Sequence, residues 1–109
     1  MAQSHKVLGQ SNPSATTATT LYTAPSATQT IASTLSVANL GTTATTFRVA
    51  VRPAGATLAN QHYIAYDVTL GGNDSVTLTL GIALATTDVV TVYAGNANLA
   101  FSLFGVEIT

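Results

Sequence analysis

The chain has 109 residues, a length that suits one domain, and charged side chains make up only 6% of it, against about 25% in an ordinary soluble domain. A net charge of −1 gives no electrostatic reason to expect nucleic acid as a partner, and the lack of cysteine excludes disulfides and thiolate chemistry. Because a free monomer uses scattered charge to stay soluble and to block edge-to-edge strand pairing, this composition favours a subunit that packs inside an assembly over a diffusing enzyme.

The first eighteen residues differ from the rest of the chain. Residues 10–18 contain no large apolar side chain, so Val7 and Leu8 are the only anchors of this segment. Residues 1–18 are therefore predicted to be an extended N-terminal arm that lies along a neighbour in an assembly. No signal-peptide or membrane-helix pattern occurs, so we expect a chain that is made in the cytoplasm, begins at Met1 and has no membrane partner.

Residues 19–109 show the period-two alternation of β-strands. The clearest case is residues 45–52, where Phe47, Val49 and Val51 share one face. Seven strands are predicted: 19–23, 29–39, 45–52, 63–70, 75–82, 89–94 and 98–108. Helical periodicity never persists, and turn sequences such as GGND at 71–74 separate the strands. The sequence thus predicts an all-β fold, an antiparallel β-sandwich or jelly roll over 19–109 with the extended N-terminal arm before it.

The last predicted strand contains two apolar series. Leu99, Phe101 and Leu103 fall on one face, whereas Phe104, Val106 and Ile108 fall on the other. This change of face predicts a bulge or kink near Gly105.

The arginines form the most suggestive polar feature. Arg48 and Arg52 lie on one strand face, and we expect a small ion-pair patch with Asp67 or Glu107. The alternative is that the two arginines bind an anionic glycan or the carboxylate of a partner. Together with Val7 and Leu8 they are the candidate partner-contact residues.

No combination of residues predicts chemistry. His5 and His62 are isolated and lack metal-ligand spacing. Asp74 and Asp88 are interpreted as turn residues. The chain is therefore expected not to be an enzyme, and to have no catalytic residues, no cofactor and no metal.

The tyrosines offer a weaker indication of sugar binding, since aromatic rings on a sandwich can stack on sugars but more often fill cores and interfaces. By simple alternation, Tyr63 and Tyr66 lie on opposite faces of one strand. They are therefore not expected to form a single platform.

Five segments spread over nearly the whole chain carry a resemblance. They are KVLGQSNP at 6–13, TLYTAP at 20–25, ATTFRVAV at 44–51, HYIAYD at 62–67 and FSLFGVEI at 101–108. Together they resemble a small threonine-rich β-sandwich virion protein of tailed phages of aquatic bacteria, including cyanobacteria. The resemblance implies a structural component of the particle, and it carries over no residue with assigned chemistry.

These indications lead to one expected function and two alternatives. The expected function is that of a capsid decoration or cement protein, made in the host cytoplasm and located in the virion, where it stabilises the head lattice. We expect a homotrimer that contacts the major capsid protein or other virion proteins. The first alternative is a tail, neck or baseplate accessory or short fibre protein. The second is a carbohydrate-binding module for host attachment, which would use the tyrosines and arginines.

Overall fold

The computed structural model describes residues 2–109, which form eight β-strands and two short 3-10 turns. The strands are β1 (Gln3–Ser11), β2 (Thr19–Thr23), β3 (Gln29–Asn39), β4 (Thr45–Arg52), β5 (Tyr63–Leu70), β6 (Ser75–Leu84), β7 (Val89–Ala94) and β8 (Leu99–Ile108). The two turns, Pro53–Gly55 and Asn60–His62, both lie in the connection between β4 and β5.

The strands form two four-stranded antiparallel sheets. The first has the order β1-β8-β3-β6 and the second the order β2-β7-β4-β5. The first strand pairs with the last, the second with the seventh, the third with the sixth and the fourth with the fifth. The chain is thus one long hairpin of four strand pairs wound into a sandwich, which is the jelly-roll arrangement. The predicted all-β sandwich is confirmed.

The core lies between the two sheets and contains most of the residues that alternation assigned to it; Ile31, expected on the face of Leu35 and Val37, is instead 40% exposed, because the additional residue Ser33 changes its face. In β3 and β4, Leu35, Val37, Phe47 and Val49 are fully buried. Phe47 from the second sheet meets Phe101 from the first edge to face, with ring centroids 6.2 Å apart. Facing aromatic and branched side chains therefore join the sheets, as in other two-layer sandwiches.

The extended arm predicted over residues 1–18 is not confirmed. Residues Gln3–Ser11 form β1, which pairs with β8 at the edge of the first sheet, and Met1 lies outside the described residues. The chain then crosses to the second sheet, where the amide of Thr16 donates to the carbonyl of Ala94 at 2.8 Å. The polar composition that indicated an arm is also typical of a solvent-facing edge strand, because such a strand needs few apolar side chains.

The irregularity predicted near Gly105 lies at the expected level of the sheet, but in the neighbouring strands. Leu8 in β1 is an additional residue between the partners of Phe104 and Leu103, and Ser33 in β3 is one between the partners of Gly105 and Phe104. A Cβ at Gly105 would collide with the backbone carbonyl of Ile31, so glycine allows this close approach. Strand β8 itself alternates regularly, which directs Phe104 and Val106 to the outer face of the first sheet.

Candidate functional site

Strand β5 has two irregularities, and the one between Ala65 and Tyr63 brings two tyrosines onto the same face. Between the pairs Phe47–Val68 and Val49–Ala65, β5 has one residue more than β4, and a second additional residue follows before Tyr63. Asp67 lies in this bulge with φ of 50°, a conformation that Asp adopts more readily than most residues. The expectation that Tyr63 and Tyr66 lie on opposite faces was therefore wrong: their ring centroids are 4.9 Å apart, at an interplanar angle of 82°.

Arg48 organises the outer face of the second sheet beside these rings. Its guanidinium lies 4.2 Å from the ring centroid of Tyr66 and 4.3 Å from that of Tyr93. Its Nε donates to Oδ1 of Asp67 at 2.6 Å, which confirms the predicted ion pair between these two residues. The hydrogen bond to Asp67 raises the pKa of Arg48 further above its ordinary value, so the guanidinium keeps its charge.

Arg52 has a different role from the ion pairing that the sequence suggested. Its Nε donates to Oγ1 of Thr91 at 3.0 Å, and its Nη1 donates to the carbonyl oxygen of Ala56 at 3.0 Å. At the other end of the connection, the amide of Ala59 donates to Nδ1 of His62 at 3.0 Å. The Arg52 contacts hold the start of the connection between β4 and β5 against Thr91 of β7, and the bond from Ala59 to His62 closes its last turn, which contains Asn60.

Asn60, Tyr63 and Tyr66 together line a shallow depression of about 350 Å³. Tyr66 is 55% exposed, and Asn60 is exposed at the rim. Sequence reasoning did not single out Asn60 or connect Tyr93 with Arg48. Asp67, an acid in the middle of a strand, signals the bulge beside Tyr66, but no feature of the sequence marks the additional residue Ile64 that brings Tyr63 onto the same face.

Glu107 lies far from the arginines with which the sequence grouped it. Its carboxylate forms an ion pair with Nζ of Lys6 at 2.5 Å and accepts a hydrogen bond from the hydroxyl of Tyr22 at 2.6 Å. The Tyr22 hydroxyl also lies 2.8 Å from Oγ1 of buried Thr30. Because Tyr22 belongs to β2 and the other three residues to the first sheet, this network connects the two sheets at one end of the sandwich.

The network changes the proton affinity of two of its members. Hydrogen bonds from Lys6 and Tyr22 hold the pKa of Glu107 below its usual range. Burial, reinforced by the hydrogen bond to Glu107, raises the pKa of Tyr22 to about 12. Glu107 is therefore ionised and Tyr22 neutral near pH 7, which is the protonation state that the hydrogen bond requires.

The outer face of the first sheet is apolar over three adjacent strands. Val7 on β1 pairs with Phe104 on β8, and Val106 on β8 pairs with Ile31 on β3. Val7 is 47% and Phe104 37% exposed. We refer to these four residues as the apolar face; they line a broad, open depression whose other lining residues are His5, Lys6, Ser33 and Gly105.

The four candidate partner-contact residues do not come together. Val7 belongs to the apolar face, but Leu8 is the additional residue of its bulge and packs against the core. Arg48 and Arg52 lie on the outer face of the opposite sheet. Two separate outer surfaces therefore result, one apolar and one built from tyrosines and an arginine.

Two further features were sought among residues 2–109, a metal-binding cluster and a membrane-spanning helix. No group of three or more His, Asp or Glu side chains there is arranged to hold a metal ion. The same residues include no helix with the length and apolar character of a membrane span. Asp74 and Asp88 accept backbone hydrogen bonds in turns, as predicted for both.

Comparison with known proteins adds no family: no protein-family model and no curated protein matches the chain.

Proposed function

We propose that the chain is a structural subunit of a phage particle, and specifically a decoration or cement protein that binds the outside of the head lattice as a homotrimer. The observation that carries this proposal is the apolar face of Val7, Ile31, Phe104 and Val106. Contiguous exposed apolar surface on a small soluble domain typically marks a contact with another protein.

The distribution of charge supports the same conclusion. All three basic side chains are engaged within the subunit: Lys6 with Glu107, Arg48 with Asp67, and Arg52 with Thr91 and backbone carbonyls. Long-range electrostatic steering is weak for such a surface, so apolar contact and neutral hydrogen bonds must supply the affinity. A lattice that presents many copies of one contact suits such a binding mode, since avidity compensates for a modest single contact.

Strand β1 supplies the second element of the proposed mechanism. It is the edge strand of the first sheet, so one side of its backbone can pair with a strand of a neighbour. Added interface area and such pairing would brace the lattice against internal pressure without any chemistry. The predicted interlocking by a free arm is thus replaced by interlocking through an edge strand that borders the apolar face.

The copy number of the chain in purified phage particles tests this proposal. Hundreds of copies, measured by quantitative mass spectrometry against the major capsid protein, would support a head decoration protein. A few dozen copies or fewer would favour the tail, neck or baseplate alternative, and absence from the particle would overturn both.

A substitution tests whether the apolar face makes the contact with the particle. Phe104→Ser should reduce binding of the added protein to particles that lack it at least tenfold, because it removes the largest ring of the apolar face. Thr77→Ala, on the exposed side of β6, serves as the matched control and should bind normally. Normal binding by Phe104→Ser would exclude the apolar face as the contact.

A further inference from the structure

We propose that the depression formed by Asn60, Tyr63 and Tyr66 binds a neutral hexopyranose unit of a glycan. This site lies on the outer face of the second sheet, and the inference does not depend on the proposed structural function. The depression of about 350 Å³ lies near the lower end of the range of about 300–1,000 Å³ for small-molecule sites. Its size therefore suits a small ring better than a large cofactor.

The lining matches the two kinds of surface that a pyranose presents. A pyranose ring has a face of C–H groups and a rim of hydroxyls, and Tyr63 and Tyr66 offer aromatic surfaces at nearly right angles. The Asn60 amide can donate and accept at the same time, so it can bind two neighbouring hydroxyls. The Asn60 side chain is exposed, so both of its polar atoms are accessible to a ligand.

Neighbouring side chains hold the tyrosine rings and the connection in place and leave the Asn60 amide accessible. Arg48 stacks on Tyr66 and is itself held by Tyr93 and Asp67. The connection that carries Asn60 is fixed on both sides, at Ala56 by Arg52 and at Ala59 by His62. Such second-layer support lowers the conformational entropy lost on binding, which is a large cost for weak ligands.

The electrostatics favour a neutral sugar over an acidic one. Arg48 is the nearest cation to the rings, and its charge is matched by Asp67 at 2.6 Å. An acidic sugar would have to compete with that carboxylate and would meet its negative charge. A neutral ring instead needs only aromatic contact and the Asn60 amide, both of which are present.

The test uses the full-length chain labelled with ¹⁵N and a panel of neutral methyl glycosides of glucose, galactose, mannose and N-acetylglucosamine. Methyl glucuronide is the acidic comparison. Each compound is titrated up to about 10 mM, ten times a Kd of about 1 mM. We expect at least one neutral glycoside to shift the Asn60 side-chain amide and the backbone amides of Tyr63 and Tyr66, and methyl glucuronide to bind at least tenfold more weakly.

Variants separate this site from the apolar face. Tyr66→Ala and Asn60→Ala should each weaken binding at least tenfold, and Phe104→Ser should leave it unchanged. Asn60→Ala keeps the tyrosine–arginine stack, so it tests the site even if Tyr66→Ala fails to fold. Absence of binding by every neutral glycoside, stronger binding of the glucuronide, or normal binding by Asn60→Ala would each overturn the inference, and none of these results bears on attachment to the particle.

Discussion

At the scale of single residues, the few charged side chains are used for internal architecture. Glu107 accepts from both Lys6 and Tyr22 and so connects the two sheets. Asp88 accepts from the amides of Ala54 and Ala85, both at 2.9 Å, and thereby joins two loops. Each charge therefore has a neighbour that would lose a partner if the charge were removed, which makes these positions sensitive despite their partial exposure.

The Glu107 network predicts sensitivity to acid. Because the pKa of Glu107 is lowered in the folded state, its contribution is present above the unfolded value of about 4.3 and is lost as pH falls below it. We expect Glu107→Gln to cost about 1 kcal/mol at pH 7, since the Lys6 partner is partly exposed, and to cost less at pH 3. Urea unfolding at the two pH values measures the difference.

Asp74→Asn is the control for this prediction, because it removes an acid that bonds only the adjacent amide of Ser75. That variant should retain the acid sensitivity of the wild type. An equal cost of Glu107→Gln at both pH values would show that ionised Glu107 does not stabilise the fold.

Core and surface positions should differ sharply in their response to truncation. Phe47 is fully buried against Phe101, so Phe47→Ala should lower the free energy of unfolding by about 3–5 kcal/mol. Leu78 lies at the partly open edge between the sheets, so Leu78→Ala should cost less. Thr77→Ala, on the exposed face, should stay within about 0.5 kcal/mol of wild type. Chemical denaturation ranks the three variants, and a larger loss for Thr77 than for Phe47 would contradict the assigned alternation.

At the scale of elements, the edge strands determine how the sandwich meets its surroundings. β1 is nine residues long and pairs with β8 through most of its length, interrupted by the Leu8 bulge. β5, the edge of the second sheet, is distorted by two additional residues, which makes it a poor template for further pairing. The two sheets thus differ, with one edge suited to strand addition and the other to a side-chain site.

Deleting residues 1–11 should destabilise the fold, contrary to what a detachable arm would show. The deletion uncovers β8 and removes Leu8, which is partly buried against the core and so contributes about 1 kcal/mol, less than a fully buried leucine. We expect the free energy of unfolding to fall by at least that amount, measured by urea denaturation. Val7→Thr, which keeps the strand and changes only an outward side chain, should be nearly neutral. If the chain without residues 1–11 were as stable as the wild type, the prediction of a separate N-terminal arm would be supported instead.

At the scale of the whole molecule, a shortage of free charge combines with an apolar outer face. A monomer with this surface would expose Val7, Ile31 and Phe104 to water, which favours association. We therefore predict self-association, with a trimer as the expected state.

Multi-angle light scattering at micromolar concentration should give three times the chain mass of 11.1 kDa. A shift of Phe104→Ser toward monomer would assign the apolar face to the contact between subunits, and an unchanged mass would assign it to the lattice; Thr77→Ala should keep the wild-type mass. A stable, soluble wild-type monomer would contradict the prediction and leave the lattice contact as the remaining use of the apolar face.

The sequence by itself determined seven of the eight strands and most of the core. Alternation located β2, β3, β4, β5 and β7 at their observed bounds, because a strand with one buried face must repeat every two residues. It also identified Asp74 and Asp88 as turn residues, since their side chains bond to nearby backbone. These features depend on residues close together in the chain, so they can be predicted from short segments of the sequence.

Only the tertiary structure decided what depends on register between distant strands. β1 could not be told from an arm, because its stability comes from pairing with β8, almost a hundred residues away. Simple alternation puts Tyr63 and Tyr66 on opposite faces. The irregular pairing of β5 brings them onto the same face, because one additional residue shifts every later side chain to the opposite face. The jelly-roll order, the separation of Val7 from the arginines and the assembly of Asn60 with the tyrosines follow from that register, which no local pattern records.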